Sequence, residues 1–267
     1  MNTKRMMSIT SVQNEKVKAM AALQEKKHRD RSGRFIMEGV HLVQEALQAG
    51  ADVETIVIDM ERGVPAELRT LLSNADCELI EATPAIMAKC TGTDSPPPVF
   101  GVVAKPYADR STLFKSDSLV VVLDGLRDPG NVGTIIRSAD AVGAHAVVLG
   151  KGSVDLYNPK TVRSTMGSLF HLPVIEADLS ELLPEAKRHG IKLVGTSLQA
   201  SATCYGFDWK VPTWLLMGSE SQGLSAEVLA QVDANVIIPM HGHSESLNVA
   251  MASTILLYEA LRQRSYA

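Results

Sequence analysis

Three stretches of this 267-residue chain gather glycine, amide, carboxylate, hydroxyl and guanidinium groups where an apolar run ends. The first is Asp124-Gly-Leu-Arg-Asp-Pro-Gly-Asn-Val-Gly-Thr-Ile-Ile-Arg-Ser-Ala139, with Asn131 and Arg137 as its polar candidates. The second is Leu215-Leu-Met-Gly-Ser-Glu-Ser-Gln-Gly-Leu-Ser225, where Gly218 and Gly223 bracket Glu220. The third is Val236-Ile-Ile-Pro-Met-His-Gly-His-Ser-Glu-Ser-Leu-Asn-Val-Ala-Met-Ala-Ser253. Glycines of this kind let a ligand approach the main chain closely. The common nucleotide signatures are missing. Gly130-Asn-Val-Gly133 only echoes GxGxxG, and no GxxxxGK[ST] occurs. Gly218-Ser-Glu-Ser-Gln-Gly223 resembles a nucleophile elbow around Ser221, but its first glycine stands one place too early. His241 and His243 form an HxH pair with no cysteine or carboxylate at ligand spacing, so no metal is expected.

Strands must carry these loops. Leu119–Asp124 is a near-continuous apolar run, the pattern of a strand buried on both faces of a parallel sheet. Ala146–Leu149, Val174–Glu176, Lys192–Thr196, Trp214–Met217 and Val236–Pro239 follow, with helical stretches between most of them. That alternation predicts an α/β, doubly wound parallel sheet. A helix is expected near Asn131, with the Asn131 side chain as its cap and Val132, Ile135, Ile136, Ala139 and Val142 as its buried stripe. Arg137 then points away from the core. Ser225 is expected to cap the helix after the second stretch, and a last helix is expected near Ser246. That helix is apolar almost all round, so it is buried on more than one side, in the core or at a homodimer seam.

The first 104 residues read as a smaller α/β unit: a polar helix over Ser11–Lys27, strands at Phe35–Met37, Thr55–Asp59, Glu78–Ile80 and Val99–Ala104, and helices between them. Residues 105–118 turn polar and mark a linker, leaving 119–267 as the second domain. The longest apolar runs are too short to cross a bilayer, and no apolar segment follows Lys4 and Arg5 to make a secretory signal. Cys77, Cys90 and Cys204 lie at no paired spacing and read as free thiols of a cytoplasmic protein. Net charge is −4, yet residues 1–34 hold nine basic and three acidic side chains, leaving −10 for the rest. A basic segment on an acidic molecule can track a phosphate backbone.

Together and in order, the three stretches resemble the motifs of the SpoU/TrmH family of RNA ribose methyltransferases, within the knotted SPOUT class. The matching pieces are Asn131-Val-Gly-Thr-Ile-Ile-Arg137, Met217-Gly-Ser-Glu-Ser-Gln-Gly-Leu224, and Ile238-Pro-Met240 leading to Ser246-Leu-Asn-Val249. Asn158-Pro-Lys-Thr-Val-Arg-Ser-Thr-Met-Gly-Ser168 is also similar, and Phe35-Ile-Met-Glu-Gly39 resembles the start of the RNA-binding domain that many members carry. The resemblance implies a C-terminal trefoil-knotted methyltransferase domain behind a smaller N-terminal α/β RNA-binding domain. It implies S-adenosylmethionine bound at Thr196, Gly218, Ile238 and Leu247, and catalytic positions at Arg137, Asn131, Glu220, Ser246 and Asn248.

The implied reaction is in-line attack by a ribose O2′ on the donor's methyl, which needs positioning and the removal of one proton. Arginine is too weak an acid to serve comfortably as a general base. Arg137 is therefore expected to clamp a phosphate and ease loss of the 2′-proton electrostatically. DNA lacks the nucleophile and cannot be a substrate. The larger N-terminal domain favours ribosomal over transfer RNA, and a homodimer is implied. A knotted base-nitrogen methyltransferase, a non-catalytic RNA-binding protein and an α/β hydrolase built on Ser221 are the alternatives. The Asn131–Arg137 pair and the intact Gly218 loop speak against the first two.

Overall fold

The computed structural model describes residues 6–266, so Lys4 and Arg5 of the basic segment lie outside the described residues. The chain forms two compact units. In the first, β1 (Met7–Ile9), α1 (Glu15–Ala22), α2 (Lys26–Ser32), β2 (Arg34–Glu38), α3 (Val40–Gln48), β3 (Val53–Asp59), α4 (Arg69–Asn74), β4 (Glu78–Ala82), α5 (Pro84–Thr91) and β5 (Val99–Ala104) follow one another. They build a five-stranded sheet in the order β1-β4-β3-β5-β2, parallel across its first three strands and antiparallel across the rest. Two elements differ from expectation. The single helix over Ser11–Lys27 is two helices, because the chain turns between Ala22 and Lys26. Ahead of them a strand pairs with β4.

This unit also takes in residues 155–170, which contain α7 (Pro159–Ser164). Phe35 packs on Tyr157 and Phe170 at ring-centroid distances of 4.8 and 6.3 Å. Arg29, only 3% exposed, gives its guanidinium to the carbonyls of Leu23 and Gln24 at 2.7 Å and to the carboxylate of Asp155. Arg163 pairs with Glu38, whose burial pushes its carboxyl above the ordinary range against the pull of that guanidinium. Arg29 is thus a structural cation and leaves the set that can meet phosphate. Lys16, Lys18, Lys26 and Arg34 are paired with Glu78, Glu15, Asp30 and Glu54. Lys27 and Arg31 are exposed and make no ion pair among the described residues.

The second unit holds β6 (Leu119–Asp124), α6 (Pro129–Ala141), β7 (Ala146–Gly150), β8 (Val174–Ala177), α8 (Leu179–Arg188), β9 (Lys192–Thr196), β10 (Ala202–Thr203), β11 (Thr213–Gly218), α9 (Ala226–Leu229), β12 (Ala234–Ile237) and α10 (Val249–Ser265). All seven strands are parallel, in the order β10-β12-β9-β11-β6-β7-β8. Side chains alternate across a strand, and both faces are covered. Val120, Val122, Val148, Trp214 and Leu216 pack with Leu182, Leu183 and Ala186 of α8. Helices α6 and α10 lie against each other and against the central strands on the opposite face. That is why the β6 run is apolar throughout.

The stretch after β5 has a short 3-10 turn at Arg110–Phe114, which buries Leu113. Ser118 is buried too; it donates to the Leu113 carbonyl at 2.7 Å and accepts from Trp214 Nε1 at 3.1 Å. At the start of α8, Asp178 accepts from the Ser180 main chain at 3.0 Å and pairs with Lys151, which holds its carboxyl down at about 2. A depressed carboxylate contributes stability above its unfolded-state value of 3.8 and loses it as pH falls through about 2. An NMR titration of Asp178 should place its midpoint near that lower figure, and Lys151→Ala should move it upward.

Candidate active site

The strand ends at the middle of the second sheet set the site. Asp124, last in β6, is in register with Gly218, last in β11. Asp124 Oδ2 accepts from the Ser225 N–H at 2.7 Å and so anchors the far end of the turn that follows Gly218. Within that turn Ser219 and Gly223 exchange two main-chain hydrogen bonds, of 3.0 and 2.9 Å. Gly218 lies so close beneath the return of the chain that a β-carbon there would sit 2.1 Å from the Gly223 carbonyl carbon. A glycine is required for that approach, not for its dihedral angles.

Glu220 reaches out of the turn and accepts from Asn131 Nδ2 at 2.5 Å. Asn131 Oδ1 accepts from Asn248 Nδ2 at 3.0 Å. Asn248 Oδ1 accepts from the N–H groups of Ala250 and Met251, at 2.9 and 3.3 Å, and thereby caps α10. The order of donors is forced. A carboxylate only accepts, so Asn131 must turn its amino group to Glu220 and its oxygen to Asn248. The helix N–H groups in turn demand the oxygen of Asn248, leaving its amino group for Asn131. One directional chain of side chains therefore ties the loops after β6, β11 and β12 together.

Two expectations about helix starts are corrected here. Asn131 does not cap α6. Asp128 does, accepting from the Asn131 N–H at 2.8 Å, with Pro129 in the first helical position. Asp followed by Pro is a standard helix-start pair, and it is the signal that reading from Asn131 passes over. Likewise the last helix begins after Asn248, not near Ser246, which leaves the Ser246 side chain outside the helix. Strand β12 also ends at Ile237, two residues before Pro239. The expected stripe of Val132, Ile135, Ile136, Ala139 and Val142 is buried, and Ser225 caps α9 through the Val228 N–H.

A cleft with two lobes opens between the ends of β9, β11 and β12 and the start of α10, and Thr196, Ser246, Leu247 and Ala252 line both lobes. One lobe, of about 180 Å3, is walled by Leu198, Val236, Ile237, Ile238 and Met240. The other, of about 310 Å3, is walled by Gly218, Glu220, Leu224 and Asn248. The loop between β12 and α10 is irregular, and among the described residues none of its main-chain N–H groups from Ile238 to Leu247 is bonded within the protein. Apolar walls beside unpaired main-chain groups suit a ligand with a flat heterocycle and hydrogen-bonding edges.

The structure thus gathers Thr196, Gly218, Ile238 and Leu247 around the cleft, with Glu220, Ser246 and Asn248 on its wall and Asn131 bonded to two of these. Arg137 stands apart. It is exposed on α6, lines neither lobe and makes no ion pair among the described residues. Asp124 and Asp128 fall outside the site residues that the sequence motifs single out, yet they fix the two segments that present Glu220 and Asn131. Among the described residues no group of three His, Cys, Asp or Glu side chains is placed to hold a metal ion.

Comparison with known proteins gives the site a context. A profile of the SpoU rRNA Methylase family matches residues 118–258, and one of the MRM3-like substrate binding domain matches residues 14–101. The 23S rRNA (guanosine(2553)-2'-O)-methyltransferase RlmP of Bacillus subtilis is 38% identical over 253 residues, covering 95% of this chain and 98% of that protein. The 23S rRNA (uridine(2479)-2'-O)-methyltransferase of Streptomyces viridochromogenes is 38% identical over 252 residues, covering 91% and 88%. The crystal structure of the SpoU methyltransferase AviRb from the same organism, in complex with the cofactor AdoMet, superposes with a TM-score of 0.87 at 37% identity, covering 96% of this chain and 100% of that one.

Proposed function

Because the chain belongs to the SpoU rRNA methylase family, we propose that it transfers a methyl group from S-adenosylmethionine to a ribose 2′-hydroxyl of ribosomal RNA. The observation that carries this reading is the wall shared by the cleft and the Glu220–Asn131–Asn248 chain of hydrogen bonds. The cleft fits the donor: its apolar lobe receives a purine, and the unpaired main-chain groups of the Ile238–Leu247 loop take the hydrogen-bonding edges. Relatives that carry the same activity in their names, and one whose crystal structure holds AdoMet, support the choice of donor and substrate.

S-adenosylmethionine supplies an already activated methyl group, so the protein's task is orientation and the handling of one proton. Thr196, Gly218, Ile238 and Leu247 hold the donor. Glu220, fixed by Asn131, and Asn248, fixed by its place at the start of α10, orient the incoming ribose, with Ser246 beside them. Arg137 holds the phosphate next to that ribose and stabilises the oxygen as its proton passes to solvent water. The first unit, with Lys27 and Arg31 exposed, serves as the RNA-binding domain.

Three further features belong to this reading. Met251, Ile255 and Tyr258 leave an exposed apolar stripe along α10, with Leu247 just ahead of the helix, which suits a homodimer seam. The end of α10 is enclosed by its own chain: Arg264 donates to the carbonyls of Asp117, Ser118, Trp209 and Val211, and Gln263 bonds Phe207 and Trp209. No helix among the described residues is long and apolar enough to cross a membrane.

The deciding experiment incubates the protein with labelled S-adenosylmethionine and unmodified RNA, then digests and identifies the product nucleosides. A ribose-methylated nucleoside in the ribosomal fraction is expected. Label confined to transfer RNA would change the substrate, and a base-methylated product would overturn the reaction. Light scattering on the same preparation measures the stoichiometry.

A further inference from the structure

The Ser219–Gly223 turn has a second cavity against it. Ser219, Glu220 and Gly223 line the donor cleft and also line this cavity, of about 630 Å3, so the turn is a wall common to both. Its other walls come from the loop after β6 (Asp124, Gly125, Arg127, Asp128) and the loop after β7 (Lys151, Gly152). It lies where the sheet changes direction: the chain steps from β6 outward to β7 and β8, then returns to place β9 and β11 on the other side. Crevices at the carboxyl ends of strands at such a reversal are the usual ligand sites of open parallel sheets. Its volume is within the roughly 300–1,000 Å3 of small-molecule sites.

Charge decides what enters. The three carboxylates of the lining are each engaged. Asp124 accepts from the Ser225 N–H, Asp128 from the Asn131 N–H, and Glu220 from the Asn131 side chain. Three acidic side chains thus stand against two basic ones in the lining, which disfavours a phosphate in the depth of the cavity. An uncharged heterocycle suits it better, and Ser221 and Gln222 offer both donors and acceptors to its edge. Arg127 is exposed and has no carboxylate partner among the described residues, whereas Lys151 is committed to Asp178. A free guanidinium at the rim of such a cavity is placed for a phosphate outside it.

We propose that this cavity receives the base of the target nucleotide, splayed out of the RNA, and that Arg127 holds an adjoining phosphate. The inference rests on the function proposed above. It adds a division of labour: the donor lies on one side of the Ser219–Gly223 turn, the base on the other, and the ribose at Glu220 between them. Single-stranded or bulged RNA, whose bases can be turned out, is then the form recognised.

The test uses the whole protein and a 23S rRNA transcript. Arg127→Ala should raise KM for RNA by about tenfold, the effect of losing one charge-assisted hydrogen bond. It should lower the slope of log affinity against log salt by about one, with S-adenosylmethionine binding unchanged by calorimetry. Ser221→Trp, which fills the cavity from an exposed turn, should cut kcat/KM while leaving donor binding intact. Lys192→Ala, at the first residue of β9 and so at the opposite end of the strands from the cavity, is the control for general charge loss. A salt slope and KM unaltered in Arg127→Ala, or full activity in Ser221→Trp, overturns the proposal. If the wild type transfers no methyl, the proposed function has failed, and the salt slope of RNA binding still decides the role of Arg127.

Discussion

Arg137→Ala is expected to lower methyl transfer about 100- to 1,000-fold, the usual effect of removing one preorganised group that stabilises developing charge. Binding of S-adenosylmethionine should be unchanged, since Arg137 lines neither lobe of the cleft. The position makes this informative. Arg137 is exposed and takes no part in the buried stripe of α6, so its loss leaves the packing of that helix intact. Single-turnover transfer measured beside donor binding separates the outcomes. Lost transfer with donor binding retained supports a role at the reacting ribose, and normal transfer removes Arg137 from the mechanism. Arg137→Lys should recover only part of the rate, because an ammonium keeps the charge and loses the planar fork.

Gly218→Ala should be equally damaging for a different reason. The added carbon would lie 2.1 Å from the Gly223 carbonyl carbon, 2.2 Å from the Leu224 nitrogen and 2.3 Å from the Gly223 oxygen. All three are main-chain atoms, so no side chain can rotate away and the turn itself must move. Movement there carries Glu220 and the cleft wall with it, and a displacement near 1 Å at a positioning element costs roughly 100-fold in rate. Donor affinity should fall as well, which Arg137→Ala does not predict. Gly223→Ala is the matched comparison. Its φ is +68° and nothing lies within 4 Å of the added carbon, so the cost is left-handed strain alone, about 1–2 kcal/mol. Calorimetry with S-adenosylmethionine on both variants checks the contrast, and equal donor binding by Gly218→Ala and the wild type would refute it.

The sheet of the second unit is legible in sequence because Leu119–Leu123 and Leu215–Met217 are short apolar runs without interruption, the pattern of strands covered on both faces, and glycine-containing turns follow them. Strand β1 is not. It has three residues with one buried side chain, too few for any period to register. The role of Asn131 is hidden for another reason. Local chemistry makes it a helix cap, and its actual partners, Glu220 and Asn248, are 89 and 117 residues away. Ser246 and Asn248 are both good cap residues, and sequence alone does not rank them. Nor does composition reveal that Phe35 packs on Tyr157 or that Asp155 neutralises Arg29, because the burial of a cation depends wholly on a partner supplied from far along the chain.

That last feature bears on how the protein is made. The first unit is not a continuous piece of chain: its sheet ends at Ala104, but Asp155, Tyr157 and Phe170 arrive only when translation has reached Phe170. At about 5–20 residues per second, the emerging polypeptide waits several seconds with Phe35 uncovered and the Arg29 guanidinium short of its counter-ion. The amino-terminal portion therefore cannot finish packing when its own sheet is made, and it is completed only once a stretch of the second unit, including β6, α6 and β7, has also been synthesised.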